Sequence, residues 1–233
     1  MRRCECPNAP ALVDQLFEVG LWPATWENPR TVITLAAMET FHGLELQAQL
    51  NVQDYMAFLR RQTDDVLPQT VKDRYREFIT SMRYYRHVQA RRRGGINPGD
   101  ALSAGSLAVL CPACPQPEMN MRPGWKTRSK AFRYLDGLHF SIDGNFHLGL
   151  KDRDTDPNDV SLSEGAAYFT KAKDFKTFLK KAPKPKHEAT TCNQFGAMGY
   201  GKYKGQVSGI IGITCRHMFM LPGSIVDLLR AEQ

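Results

Sequence analysis

The chain has 233 residues, 42% hydrophobic content and a formal net charge of +7. That length suits one large domain or two small ones, the hydrophobic fraction is enough for a packed core, and no apolar run is long enough to span a bilayer. The opening MRRCECPNAP lacks the apolar stretch of a secretory signal, so an intracellular protein off the membrane is expected, with a charge that favours polyanionic partners.

In chain order, the first hundred residues read as helices. ALVDQLFEVGLW is amphipathic, and RTVITLAAMETFHGLELQAQ offers a longer apolar face after Pro29. Asn51 stands at the N-cap position of VQDYMAFLRRQ, and Asp54 suits the helix dipole. TVKDRYREFITSMRYYRHVQARRR sets Tyr75, Phe78, Ile79, Met82 and Tyr85 at three- and four-residue steps, the spacing of a core stripe rather than a base-stacking platform. Its end is basic. Arg83, Arg86, Arg91, Arg92 and Arg93 fall among residues 82–93 with no acid, which suits either a phosphate backbone or a solvated helix face.

GGINPGDALSAG breaks the helical pattern and divides the chain into a helical region, residues 1–95, and a second domain, residues 106–233. The second part opens with the short apolar run SLAVLCPAC. From Leu138 to Leu148 the chain then alternates: Leu138, Phe140, Ile142, Phe146 and Leu148 are apolar, while His139, Ser141, Asp143, Asn145 and His147 are polar. Period two is a strand with one face toward a core and the other carrying Asp143 between two histidines. After the acidic loop KDRDTDPNDVS a helix is expected from about residue 163 to 181. Lys180, Lys181, Lys184 and Lys186 in its basic tail suit either phosphate contacts or a solvated linker, and QVSGIIGITCRHMF is a second strand. Helices, strand, helix, strand in that order make an α-helical segment leading into an α+β or α/β sheet domain.

Six cysteines without a secretion signal argue for thiols or metal ligands rather than disulfides. Cys111 and Cys114 have the C-x-x-C spacing of a zinc knuckle, which is half of a tetrahedral site. Cys192, Cys215 and His217 are candidates for the other half, five ligands for four positions. The competing reading is reduced, buried cysteine. Cys4 and Cys6 cannot close a tetrahedron by themselves. They either complete another site in space or stand inside a cysteine cluster.

Several strings taken together resemble one family. GLWPATWENPRTVITLAAMETFHGLELQAQLNVQDYMAFLRRQTDD, DRYREFITSMRYYRH, LAVLCPACPQPEMN, SIDGNFHL, YFTKAKDFKTFL and CRHMFMLPGSIVDLLRAE resemble, in this order, the Kyakuja-Dileera-Zisupton transposases and the CxC-type cysteine cluster that accompanies them. The resemblance implies a ribonuclease H-like fold in which Asp143 is the aspartate of the first strand. It also implies DNA as partner, a nuclear location, and Cys4 and Cys6 as trailing ligands of the cysteine cluster. Transposases of this fold hold two Mg²⁺ or Mn²⁺ ions with three carboxylates, and a pair of ions about 3.5 to 4 Å apart clamps both oxygens of an in-line displacement.

The second aspartate and the glutamate of that triad are expected beyond Gln233. Asp136, Asp152, Asp154, Asp156 and Asp159 lie in or beside loops, with nothing to fix them near Asp143. His139 and His147, four residues apart on a strand, are roughly 13 Å apart and cannot share an ion. The expectation is therefore an α+β protein, a helical region followed by an incomplete ribonuclease H-like sheet. It binds DNA without cutting it alone, with Asp143 a relic or half of a site that a complementing transposase chain completes. An open sheet also favours self-association. The alternative is a zinc-stabilised nucleic-acid-binding or assembly module without enzymatic activity.

Overall fold

The structure, a computed structural model, describes residues 4–145, 148, 150, 160–182 and 207–229. Met1–Ala90 and Arg91–Gln233 form two compact units. In the first, helix α1 (Leu12–Glu18) leads into a small antiparallel hairpin of β1 (Leu21–Pro23) and β2 (Val32–Thr34), followed by α2 (Leu35–Ala48), α3 (Val52–Thr63) and α4 (Tyr75–Arg93). Caps define the joints. The Thr34 hydroxyl accepts from the Ala37 N–H at the start of α2, and the Asn51 side-chain Oδ1 accepts from the Asp54 N–H at 2.8 Å, as its position in the sequence suggests.

The core of this unit is aromatic and sulfur-rich: Trp22 from β1, Met38 and Phe41 from α2, Tyr55 and Met56 from α3, and Phe78, Met82 and Tyr85 from α4. Phe41 is fully buried, its ring centroid 5.1 Å from that of Tyr55 and 5.4 Å from that of Phe78. Tyr55 buries its ring only because its hydroxyl donates to the Ala37 carbonyl at 2.9 Å. Two expectations change here. An all-helical reading misses the hairpin, because strands of three residues are too short to show a period. Tyr75 and Ile79, expected in the core stripe, lie on its edge and are 36% and 41% exposed.

The second unit carries a three-stranded antiparallel sheet of order β3-β4-β5, from Phe140–Asn145, Val207–Cys215 and Val226–Leu229, with helix α5 (Ala172–Lys181) between β3 and β4 in sequence. The fold class is α+β. Helix α5 begins nine residues later than the expected helix from 163, because the chain just before it is extended beside residues 223–225: Gly223 donates to the Ala167 carbonyl, Ile225 to that of Tyr168, and Thr170 to that of Ile225. The register pairs Phe140 with Cys215, Ile142 with Ile213 and Asp143 with Gly212. The apolar face of β3, expected in a core, is not: Phe140 and Ile142 are 59% and 63% exposed. Period two fixes the alternation of side chains, but burial also needs a second layer, and among the described residues none covers these two.

Truncating the fully buried ring at Phe41 removes contacts to α3 and α4 together. Phe41→Ala is expected to cost about 3 to 5 kcal/mol in chemical denaturation followed by aromatic fluorescence, and Asn51→Ala about 1 kcal/mol.

Candidate metal centre

Cys111, Cys114, Cys215 and His217 meet in the second unit, with one ligand atom from each residue and all four atoms within 4.8 Å of one another. Two local structures bring them there. Residues 111–114 close a turn in which the Cys114 N–H donates to the Cys111 carbonyl, so both thiols point the same way. Gly105, at φ +72°, lets this stretch lie against the 221–223 turn, and a Cβ there would fall 2.7 Å from Pro222 Cβ. On the other side, Cys215 is the last residue of β4. The strand ends in a turn closed by Met218 N–H to Cys215 C=O, with Met218 left-handed at φ +66°, and this swings His217 back toward the thiols.

His217 Nδ1 lies 3.5 Å from Cys111 Sγ and 3.4 Å from Cys114 Sγ. Zn–S bonds of about 2.3 Å and a Zn–N bond of about 2.0 Å in a tetrahedron put neighbouring sulfur and nitrogen ligands about 3.5 Å apart, a spacing that these two separations match. The three cysteines are buried and the imidazole is exposed, a donor set of soft, closed, structural character.

The protons tell the same story. Burial, hydrogen bonds with Cys215 and Cys111, and their like charge push the Cys114 thiol up to about 12. Burial opposes ionisation of Cys215 as well, but the backbone N–H groups of His217 and Phe219 and hydrogen bonds from the other two thiols outweigh it and bring Cys215 down to about 6. Cys215 is thus disposed to ionise and Cys114 is not, and a dication among them favours the thiolate form of both.

A second ring of contacts fixes the first turn. Gln116 Nε2 donates to the Cys111 carbonyl at 2.7 Å, and Asn120 Nδ2 donates to the carbonyls of Cys114 at 2.8 Å and Pro112 at 3.1 Å. Asn120 Oδ1 in turn accepts from the Gln116 N–H at 2.7 Å. Asn120 closes the LAVLCPACPQPEMN string that carries the family resemblance, whereas nothing in the sequence singles out Gln116, five residues after Cys111.

Cys192, Lys184, Lys186, His147 and the aspartates at 152, 154, 156 and 159 lie outside the described residues. Cys4 and Cys6 are exposed in the first unit, where hydrogen bonds from Cys6 hold the Cys4 thiol below its ordinary value. Of the arginines, Arg86 is engaged with both carboxylate oxygens of Glu45 and Arg91 donates to the carbonyls of Asn97 and Asp100, while Arg83, Arg92 and Arg93 are exposed. Lys180 and Lys181 are exposed at the end of α5.

Asp143 is exposed on β3 and accepts from the Gly144 N–H. Among the described residues it belongs to no group of three or more potential metal ligands, and Asp136 is paired with Arg128 at 2.6 Å. Asp227 shares the sheet face of Asp143, since Ile210 pairs with Asn145 on one side and Asp227 on the other. It stands two strands across and two residues along, roughly 12 Å, too far to hold the same ion. The described carboxylates therefore do not make a Mg²⁺ or Mn²⁺ site.

Residues 1–67 match the family described as a CxC2-like cysteine cluster associated with KDZ transposases, and residues 137–233 match the Kyakuja-Dileera-Zisupton transposase. Cys215 and His217 fall in the second match, Cys111 and Cys114 between the two. No curated protein and no solved structure matches the chain.

Metal analysis of the purified chain is expected to give one tightly held zinc from this cluster, lost in Cys215→Ser. Asn120→Ala should weaken zinc binding about tenfold or more while leaving the four ligands in place. Acid should release the ion as protons compete for the thiolates and the imidazole. Burial raises the Asp227 carboxyl above its ordinary value, so its contribution to stability falls as the pH climbs above about 4, and Asp227→Asn should flatten that loss in thermal melts.

Proposed function

Because the chain belongs to the Kyakuja-Dileera-Zisupton transposase family, we propose that it is a DNA-binding protein of transposase descent, its sheet domain held together by a structural zinc ion at Cys111, Cys114, Cys215 and His217. The observation that carries this reading is the convergence of those four ligands. They join a loop outside both family matches to the end of β4, the strand hydrogen-bonded to the one that presents Asp143.

Asp143 on the first of three antiparallel strands supports a ribonuclease H-like sheet in which it is one acid of a phosphodiester-processing centre. A two-metal reaction needs further carboxylates beside it. The described residues bring none, so in this reading they hold DNA and do not cut it, and a complementing transposase chain supplies the rest. The exposed apolar side chains of Phe140 and Ile142 support association through that face of the sheet, with a second copy or with such a chain. Contacts to the phosphate backbone are assigned to Arg92 and Arg93 on α4 and to Lys180 and Lys181 on α5, and the nucleus is the compartment that fits. No helix among the described residues is long and apolar enough to cross a membrane.

The zinc-loaded chain is expected to bind duplex DNA with an affinity that falls roughly 100-fold between about 50 and 200 mM salt if four cations each neutralise a phosphate. Affinity that ignores salt contradicts the reading. In nicking assays with Mg²⁺ or Mn²⁺ the parent and Asp143→Asn should be equally inactive, and cleavage by the parent that Asp143→Asn abolishes would restore an enzyme.

A further inference from the structure

Between the Cys111/Cys114 turn and β3, in a stretch that neither family match covers, residues 122–135 contain Arg122, Lys126, Arg128, Lys130 and Arg133 and no acid. Trp125, Phe132 and Tyr134 are interleaved with them. Cations on a surface need no explanation, but large rings do. Phe132 and Tyr134 are 54% and 64% exposed, two residues apart on the same short 3-10 helix, Lys130–Asp136.

The segment is anchored at several points. Arg128 Nε pairs with Asp136 Oδ2 at 2.6 Å, which ties the chain before the helix to its last residue and neutralises that acid. Arg133 Nε donates to the Arg128 carbonyl at 3.3 Å, and Lys126 Nζ stands 5.5 Å from the centre of the Trp125 ring. Three residues per turn place Lys130 and Arg133 on one side of the 3-10 helix and the two rings on its others. Beside it lies an open cleft of about 420 Å³ whose walls include Asn120, Arg122 and Arg128. Asn120 is also the side chain that holds the Cys114 carbonyl, so the metal centre and the basic segment share a wall.

We infer that residues 122–135 form a contact surface for DNA with unpaired bases, in which Arg122, Lys126 and Lys130 meet phosphates while Phe132 and Tyr134 stack on bases. Arg128 is not among the contacts, since Asp136 occupies it. The exposed rings select unpaired over paired DNA. In a duplex the flat faces of the bases are covered by their neighbours, so an exposed ring finds no partner there, whereas every unpaired base offers a π-face regardless of sequence. The inference rests on the DNA-binding reading above and deepens it: melted or single-stranded DNA is the form this face takes.

The test uses the full zinc-loaded chain and a labelled mixed-sequence oligonucleotide of about 20 nucleotides, single-stranded and as its duplex. Phe132→Ala with Tyr134→Ala should weaken single-strand binding about tenfold or more and duplex binding less than about threefold, with zinc content unchanged. Phe132→Tyr with Tyr134→Phe, which keeps both rings, should bind like the parent. Lys126→Gln with Lys130→Gln should weaken both forms and reduce the salt dependence. A ring-less variant that binds single strands as the parent does, or that loses both forms equally, overturns the inference while the DNA-binding reading stands. A parent chain that binds neither form overturns both.

Discussion

Three thiols and an imidazole gather within 4.8 Å of one another, and three of the four are buried. A cluster in which one thiol is pushed up to about 12 and another drawn down to about 6 is a set of ligands in electrostatic conflict until a cation joins it. The rest of the second unit depends on that constraint. Among the described residues its buried side chains are few and small: Leu107, Ala166, Val207, Ile225 and the three cysteines. The first unit has interlocked aromatic rings and needs no such help. Where the apolar core is slight, a metal that binds only the folded arrangement supplies folding free energy directly. The closure it makes is also long-range, joining residues about 100 positions apart, and loop closure on that scale is costly for weak contacts alone.

The centre is structural in character and distinct from the place where Asp143 stands. Four protein ligands close a zinc tetrahedron and leave no position open for water or substrate. Phe140, opposite Cys215, is three residues from Asp143 along β3, about 10 Å at strand rise. What the cluster does for Asp143 is indirect. It fixes the end of β4, and the ladder of β4 against β3 then fixes the strand on which the carboxylate sits.

How much of this could be read from the residues alone varies with the physics of each element. The Cys111–Cys114 spacing and the C-x-H pair identify a metal site by chemistry that is local, and their convergence in space follows the chemistry. Which fourth ligand joins is not local. Five candidates were open, and the turn at Met218, left-handed and invisible to any pattern, is what carries His217 to the thiols. Both long strands, β3 and β4, are legible because their residues alternate or run apolar. The hairpin of β1 and β2 is hidden by its length. Phe140 and Ile142 show the limit of periodicity: it says which side chains share a face, and the neighbouring layers decide whether that face is covered. The basic stretch 122–135 escapes a search for dense charge because its cations are spaced two to four residues apart. Only the exposure of Phe132 and Tyr134 separates it from an ordinary loop.

X-ray absorption at the zinc edge of the purified full chain reads the donor atoms of the metal centre themselves. The expected result is a single shell of three sulfurs at about 2.3 Å and one nitrogen at about 2.0 Å. A mixed oxygen and nitrogen shell, or a chain whose cysteines hold no metal and remain folded, would contradict it.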